Sequence, residues 1–123
     1  MAKSIVRIKS FEFAVLIVKL CRSLVIEKRE FVISNQLTRC GTSIGANIIE
    51  ALNSHSQREF LYKLSISQRE CDETLYWLEV LHSAELISQE NFTPLHQRAT
   101  ELLKIIRSII ITTKAKADRD SQS

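Results

Sequence analysis

Glycine and proline are scarce in this sequence, with two glycines and one proline among 123 residues. Average usage is about 7% for glycine and about 5% for proline. Folds made of strands and tight turns depend on these residues to reverse the chain, so their scarcity argues against a sheet-rich fold and favours a few long helices. Domains run to roughly 100 to 150 residues. We therefore expect one domain over residues 1–123.

Long apolar runs and paired cysteines are also missing. The three cysteines, Cys21, Cys40 and Cys71, are an odd number without metal-site spacing, and each falls within a helical pattern. They are expected to be reduced and to pack as small core residues. Charged residues interrupt the run FAVLIV well short of the roughly 20 residues that span a bilayer. With no signal-peptide pattern either, the sequence predicts a cytoplasmic protein.

Neither sign of charge dominates the chain. Seventeen basic residues against fourteen acidic ones give a net charge of +3 and a pI near 8.9. Dedicated nucleic-acid-binding modules are usually more basic than this. The balance permits an acidic partner without requiring one.

Signatures of catalysis are absent from the sequence. It has no Gly-x-Ser-x-Gly elbow and no recognisable cysteine protease motif, and GTSIG lacks the Gly-Lys-Ser/Thr ending of a phosphate loop. The one metal-like spacing is Glu79-x-x-His82, which di-iron bundles use twice. In the fourth helical segment Lys104 follows Glu101 and would oppose a metal, so the ligand set is incomplete. We expect no enzyme activity, no cofactor and no metal.

Hydrophobic periodicity divides the chain into four helical segments. The joints between them are short and polar, such as EKRE and NSHS, and short joints make consecutive helices antiparallel neighbours. The sequence therefore predicts an all-α fold, an antiparallel up-down-up-down four-helix bundle, with an ordered core at about 9–114. Residues 115–123 lack large apolar side chains and are expected to be disordered. The four segments are 10–26, 29–53, 56–83 and 88–113.

Pro94 lies well inside the fourth segment. Proline fits the first turn of a helix but removes a backbone hydrogen bond from its interior. The sequence favours a helix that Thr93 caps, with Pro94 at its first position. A kink at Pro94 is the alternative.

The first segment is apolar around more than half of its circumference. A helix in a monomeric bundle needs an apolar stripe only a little over 100° wide. The excess is expected to be buried against another molecule. The polar residues between positions 11 and 26 share one narrow strip, and they are Glu12, Lys19, Arg22 and Ser23.

The third segment has a second apolar face beside its core stripe, and the stripe consists of Phe60, Leu64, Ser67, Cys71, Leu75 and Leu78. An aromatic-rich face with charges among it is typical of protein interfaces. The alternative is a single exposed aromatic residue, which needs no explanation. The candidate residues for an oligomer interface are Tyr62, Ile66, Tyr76, Trp77 and Val80.

Both glycines fall in the second segment. Gly41 and Gly45 lie on one side of that helix together with Ser34 and Thr38. Each glycine costs about 1 kcal/mol of helix propensity relative to alanine. We therefore expect a neighbouring helix to pack closely against Gly41 and Gly45.

Basic residues gather toward the two ends of the chain. Both termini of an up-down-up-down bundle emerge at the same end, so their charge would be concentrated there, and oligomer symmetry would multiply it. A purely solubilising role for such lysines is the alternative. The candidate nucleic-acid-binding residues are Arg7, Lys9, Lys104, Arg107, Lys114 and Lys116.

Residues 39–51, RCGTSIGANIIEA, resemble a bacterial family of four helix bundle proteins whose founding members are encoded within intervening sequences of 23S ribosomal RNA genes. The similarity extends through KSFEFAVLIVKLCRSL from Lys9, KLSISQRECDETLYWLEVL from Lys63 and ELLKIIRSIIITTK from Glu101. Cys40 departs from the family pattern, in which serine is common, and Ile49 replaces an acidic or small residue. A more distant similarity is to the accessory proteins of diversity-generating retroelements.

This resemblance implies an antiparallel four-helix bundle that assembles into a homopentamer without enzyme activity. It also implies a role in RNA or ribosome biology. Two hypotheses for function follow. The oligomer is an accessory protein that binds RNA or single-stranded DNA, or it is a scaffold for another protein.

Overall fold

The computed structural model describes residues 1–122, which form four helices and no strand. α1 spans Ala2–Lys28, α2 spans Val32–Leu52, α3 spans Gln57–Ser83 and α4 spans Gln89–Gln122. α2 packs against α1 and α3, and α4 packs against α3 and α1. Within the described chain the backbones of α1 and α3 do not adjoin, nor do those of α2 and α4, so these two pairs lie diagonally across the bundle. The all-α fold of four helices is confirmed, and each helix has two neighbours, as expected for a four-helix bundle.

The core lies along the centre, where all four helices turn one face inward. Apolar residues spaced three and four positions apart share one side of a helix, which explains why each helix contributes a continuous inner stripe. The three cysteines belong to this core and are unpaired, as predicted. The largest fully buried side chains include Phe13, Ile17, Leu37, Ile44, Ile48, Leu64, Leu78, Leu81, Leu102 and Ile106.

Burial makes the cysteine thiols unreactive. The Cys71 Sγ donates a hydrogen bond to the carbonyl oxygen of Ala99 in α4, at 3.1 Å. Removal from water disfavours the thiolate, which raises the pKa of Cys40 to about 11 and that of Cys71 to about 12. Because the thiolate is the reactive form, these side chains act as packing groups rather than nucleophiles.

Side chains in the joints cap the second, third and fourth helices. The Glu30 carboxylate accepts hydrogen bonds from the backbone N–H groups of Ile33 and Ser34, at 3.1 and 2.8 Å. Ser56 and Ser88 cap α3 and α4 by accepting from the N–H group three residues later, at 3.1 and 3.2 Å. These N–H groups have no partner inside their own helix, so the caps fix where each helix begins.

Helical structure extends beyond the predicted limits at both ends of the chain. α1 begins at Ala2 instead of residue 10, because Val6 is 1% exposed and joins these turns to the core. α4 continues to Gln122, through most of the segment 115–123 that was expected to be disordered. That segment contains no glycine or proline to stop a helix. Its last residue, Ser123, lies outside the described residues.

Pro94 occupies the sixth position of α4, so the prediction that Thr93 caps this helix is wrong. The cap is Ser88, whose carbonyl oxygen also accepts from the N–H of Phe92, at 2.9 Å. Proline has no N–H and makes no bond back to the carbonyl of Glu90. A well-capped first turn allows the helix to begin before the proline.

None of the four helices combines the length and the apolar character that crossing a membrane requires, over the residues that the structure describes.

Candidate functional site

Two of the six candidate nucleic-acid-binding residues face carboxylates of neighbouring helices. The Lys9 Nζ lies 2.8 Å from the Glu101 Oε1, across the contact between α1 and α4. The Arg107 Nη2 lies 3.9 Å from the Asp72 Oδ1, across the contact between α3 and α4. One ion pair therefore faces α1 and the other faces α3, and each of the two cations has an opposite charge beside it.

The other four candidates are exposed and take no part in the ion pairs between helices that the structure describes. Arg7 lies on α1 and Lys104 on α4, while Lys114 and Lys116 lie on the last turns of α4. All six residues therefore lie on α1 or α4, the first and last helices.

An exposed apolar stripe runs along the outer side of α1. Phe11 is 69% exposed and Val18 is 46% exposed, with Val15 between them at helical spacing. The stripe continues onto the start of α2 at Phe31 and Val32, which were not among the predicted interface residues. The sequence did contain an indication of this exposed apolar pair, because two large apolar residues directly follow the charged joint EKRE.

A groove adjoins this stripe between the last turns of α1 and the first turns of α2. Its volume is about 390 Å³, and its apolar lining includes Val18, Val25, Ile26 and Phe31. The groove is concave and the exposed apolar side chains beside it protrude, so together they form a surface against which a helix can pack.

The five candidate interface residues on α3 differ in exposure. Tyr62 and Tyr76 are exposed, at 60% and 59%, whereas Ile66, Trp77 and Val80 are half-buried. Tyr76 and Trp77 meet edge to face, with ring centroids 5.0 Å apart. The two tyrosines are therefore the outermost part of this face.

A polar network holds the Trp77 indole in place. Its Nε1 donates to the Glu73 Oε2 at 3.1 Å, and the same carboxylate pairs with Arg39 of α2. The hydrogen bond from Arg39, followed by the one from Trp77, lowers the pKa of Glu73. Arg39 also contacts the Glu70 Oε2 at 3.1 Å. The network joins α2 to α3 and sets the orientation of the aromatic face.

α1 packs directly against both glycines of α2. A Cβ atom at Gly41 would lie 2.8 Å from the Ile17 Cγ2, closer than carbon atoms approach. A Cβ atom at Gly45 would lie 3.1 Å from the Ser10 Oγ. The absence of side chains at Gly41 and Gly45 sets how closely α1 approaches α2.

The Glu79-x-x-His82 motif lies where α3 ends, beside the start of α4. The His82 ring stacks on Phe92, with centroids 4.2 Å apart and planes 12° apart, and Phe92 also meets His96 at 5.0 Å. Among residues 1–122, no group of three or more histidine, cysteine, aspartate or glutamate residues is placed to hold a metal ion. The His82 ring contributes to packing at this end of the bundle.

Comparison with known proteins connects these features to a family. Residues 2–108 match the model of the 23S rRNA-intervening sequence protein family. No curated protein matches the chain. Among solved structures, the chain is similar to the 1.70 Å crystal structure of a protein of unknown function from the S23 ribosomal protein family of Bacteroides thetaiotaomicron VPI-5482.

That similarity extends over nearly the whole of both chains. Sequence identity is 47%, the match covers 89% of this chain and 98% of the other, and the TM-score is 0.88. The resemblance inferred from RCGTSIGANIIEA and the three further segments is confirmed. With almost all of its four helices matched, the chain belongs to the 23S rRNA-intervening sequence protein family.

Proposed function

We propose that this chain assembles into a homopentamer that acts as a non-enzymatic, RNA-associated accessory protein. The observation that carries the RNA association is an uneven distribution of charge along the bundle. The exposed apolar surfaces of α1 and α3 support the assembly.

The contacts between helices support an antiparallel up-down-up-down arrangement. From Gly41 to Gly45 along α2, the contacts move backward along α1, from Ile17 to Ser10. From Arg39 to Glu50 along α2, the ion-pair partners on α3 likewise move backward, from Glu73 to Lys63. The start of α1 and the end of α4 then share one half of the bundle.

That half of the bundle, residues 1–12, 46–67 and 101–122, contains most of the net positive charge. It has ten Lys and Arg residues and six Asp and Glu residues, for a net charge of +4. The rest of the chain has seven Lys and Arg residues and eight Asp and Glu residues, for a net charge of −1. The two halves differ by five charges per protomer. In a ring, symmetry gathers the positive halves of all subunits at one rim, where they attract a polyanion.

The family supports RNA as that polyanion. Its name refers to intervening sequences of 23S rRNA, and the solved relative is assigned to a ribosomal protein family. Phosphate contacts are independent of sequence and supply most of non-specific nucleic-acid binding. We therefore expect binding that depends on salt and little on base sequence.

The positions of the two apolar faces support a closed ring. Because α1 and α3 lie diagonally across the bundle, their outer faces lie on opposite sides of the protomer. An interface between two different faces is head-to-tail, and such interfaces close into rings when the rotation permits. The occupant of the α1 stripe is thus a second copy of this chain, which packs its α3 face, with Tyr62 and Tyr76, against it.

Light scattering tests the assembly. The wild-type protein should have five times the 14.1 kDa mass of one chain. Phe11→Glu places a charge in the α1 stripe and should reduce the mass to that of one chain, since an unpaired charge in an apolar interface costs several kcal/mol. Ile111→Glu, at a 68% exposed position on α4, is the matched control and should leave the assembly intact. A monodisperse 14.1 kDa wild-type protein would contradict the proposal.

Fluorescence anisotropy with a labelled single-stranded RNA tests the RNA association. The double variant Lys104→Gln, Lys114→Gln should bind more weakly than the double variant Lys9→Gln, Arg107→Gln, because Glu101 and Asp72 already neutralise the second pair. Binding should fall with salt by a log-log slope of about −0.7 for each phosphate contacted. Undetectable binding at low salt, or equal loss in both variants, would favour the protein-scaffold hypothesis.

A further inference from the structure

A large open cleft lies at the end of the bundle where the chain begins and α4 ends. Its volume is about 860 Å³. The start of α1, the joint between α2 and α3, and the segment 108–116 of α4 line it. Small-molecule sites in proteins have volumes of roughly 300 to 1,000 Å³, so the cleft is large enough for a nucleotide.

Among the described residues, the two charged side chains that line this cleft are both lysines. Lys3 of α1 and Lys116 of α4 come from two different walls, and His55 comes from the joint between α2 and α3. Within the described residues, no aspartate or glutamate lines the cleft. The nearby Glu59 carboxylate accepts from the backbone N–H of His55, at 3.4 Å, as part of the α3 cap. An anion in the cleft would therefore meet attraction from two sides.

Hydroxyl groups supplement these cations on the α4 wall. Ser108 and Thr112 lie one turn apart and line the cleft. In the part of the chain that the structure describes, neither hydroxyl bonds to another protein group, unlike Thr100, which bonds back to the carbonyl of His96. A hydroxyl donates one hydrogen bond, and phosphate oxygens accept such bonds.

The floor of the cleft is apolar. Leu52, Phe60 and Ile109 form it, and the Lys3 Nζ lies over the Phe60 ring, 4.8 Å from its centroid. This places the Lys3 ammonium at the boundary between the apolar floor and the polar wall. A ligand with both an anionic group and a less polar body fits that division.

We propose that this cleft binds the phosphate group of a nucleotide unit, with Lys3 and Lys116 on the phosphate and Ser108 and Thr112 donating to its oxygens. The nucleotide is either free or at the end of an RNA strand. The choice of a nucleotide rests on the proposed RNA association, whereas the preference for a phosphate rests on the cleft alone. The volume favours a nucleotide over inorganic phosphate.

Titration of the full-length protein with AMP, inorganic phosphate and a short RNA carrying a 5′-phosphate tests the site. Chemical-shift changes in ¹⁵N NMR spectra should appear at Lys3, in residues 54–57 and in residues 108–116. AMP should bind more tightly than inorganic phosphate. The RNA should bind more tightly with its 5′-phosphate than without it if strand ends are the source.

Three variants separate this site from general charge effects. The double variant Lys3→Gln, Lys116→Gln should weaken AMP binding at least tenfold, because each substitution removes a charge-assisted contact with the phosphate. Thr112→Val, which leaves the charge unchanged, should weaken it several-fold. Lys104→Gln removes one positive charge from α4 outside the cleft and should leave AMP binding unchanged.

The outcomes distinguish this inference from the proposed function. If AMP binds in the cleft but RNA does not bind, the proposed phosphate site is supported and the proposed RNA association is overturned. RNA binding that depends on Lys104 and Lys114, with no chemical-shift changes from AMP in the cleft, would overturn the cleft and leave the RNA association standing. Equal loss of AMP affinity in Lys104→Gln and in the cleft variants would also overturn the site, because only net charge would then matter.

Discussion

Replacing Phe13 by alanine should lower the free energy of unfolding by about 3 to 5 kcal/mol, the usual cost of removing a buried phenyl group. Phe13 is fully buried where α1 meets the rest of the core. The change deletes the ring and leaves a cavity that helices on each side cannot easily fill. Natural domains are stable by only about 5 to 15 kcal/mol. Urea unfolding followed by circular dichroism should show a much lower midpoint with a similar slope.

Phe11→Ala is the matched control for Phe13→Ala. It removes the same atoms from the same helix, at a position 69% exposed in the protomer. Its cost to the protomer should be below about 1 kcal/mol, and its main effect should be on how unfolding depends on protein concentration. Equal losses at Phe11 and Phe13 would mean that the inner and outer faces of α1 are wrongly assigned.

Replacing Gly41 by alanine should destabilise the fold by about 1 kcal/mol. The new Cβ atom would lie 2.8 Å from the Ile17 Cγ2 and 3.3 Å from the Ile17 Cβ. Ile17 is fully buried and branched at its Cβ, so it has no free rotamer to turn to. Overpacking costs typically about 1 to 3 kcal/mol, and the gain in helix propensity, about 1 kcal/mol, offsets only part of it. Urea unfolding measures the difference.

Gly45→Ala is the comparison for Gly41→Ala, since it makes the same change one turn later. The nearest atom to the new Cβ would be the Ser10 Oγ at 3.1 Å, a milder contact that a small shift relieves. The gain in propensity should then balance the strain, leaving stability near that of the wild type. The double variant Gly41→Ala, Ile17→Ala should lose less stability than the sum of the losses in the two single variants, and the difference should be about 0.5 to 3 kcal/mol. Additive losses would place the strain at Gly41 elsewhere.

The inner faces of the helices could be predicted from apolar spacing, with one instructive exception. On α3 the predicted stripe is buried at Phe60, Leu64, Ser67, Cys71 and Leu78 and half-buried at Leu75. Thr74 was not among the predicted core residues, yet it is fully buried, and its hydroxyl donates to the Glu70 carbonyl at 2.8 Å. Periodicity detects apolar side chains and misses polar ones whose hydrogen bond is satisfied within their own helix.

Charge partners could not be predicted from the sequence. Lys9 and Glu101 are 92 positions apart, and their ion pair depends on how α1 and α4 are rotated about their own axes. Helix rotation follows from packing of the whole core, which local patterns do not encode. The basic cleft is a further case, because its walls come from three distant segments. The sequence indicated which residues are basic but not which of them share a surface.

Pro94 has a consequence for the order in which the molecule opens. Because Pro94 has no N–H, the first turn of α4 lacks one backbone hydrogen bond. The Ser88 cap and the stacking of His82 on Phe92 hold this turn instead. Local openings of a protein begin where few backbone bonds join a segment to its neighbours. The turn 89–93 can therefore fray and reclose as a unit while the helix beyond Pro94 stays folded, so exchange of amide hydrogens with solvent will be faster before the proline than after it.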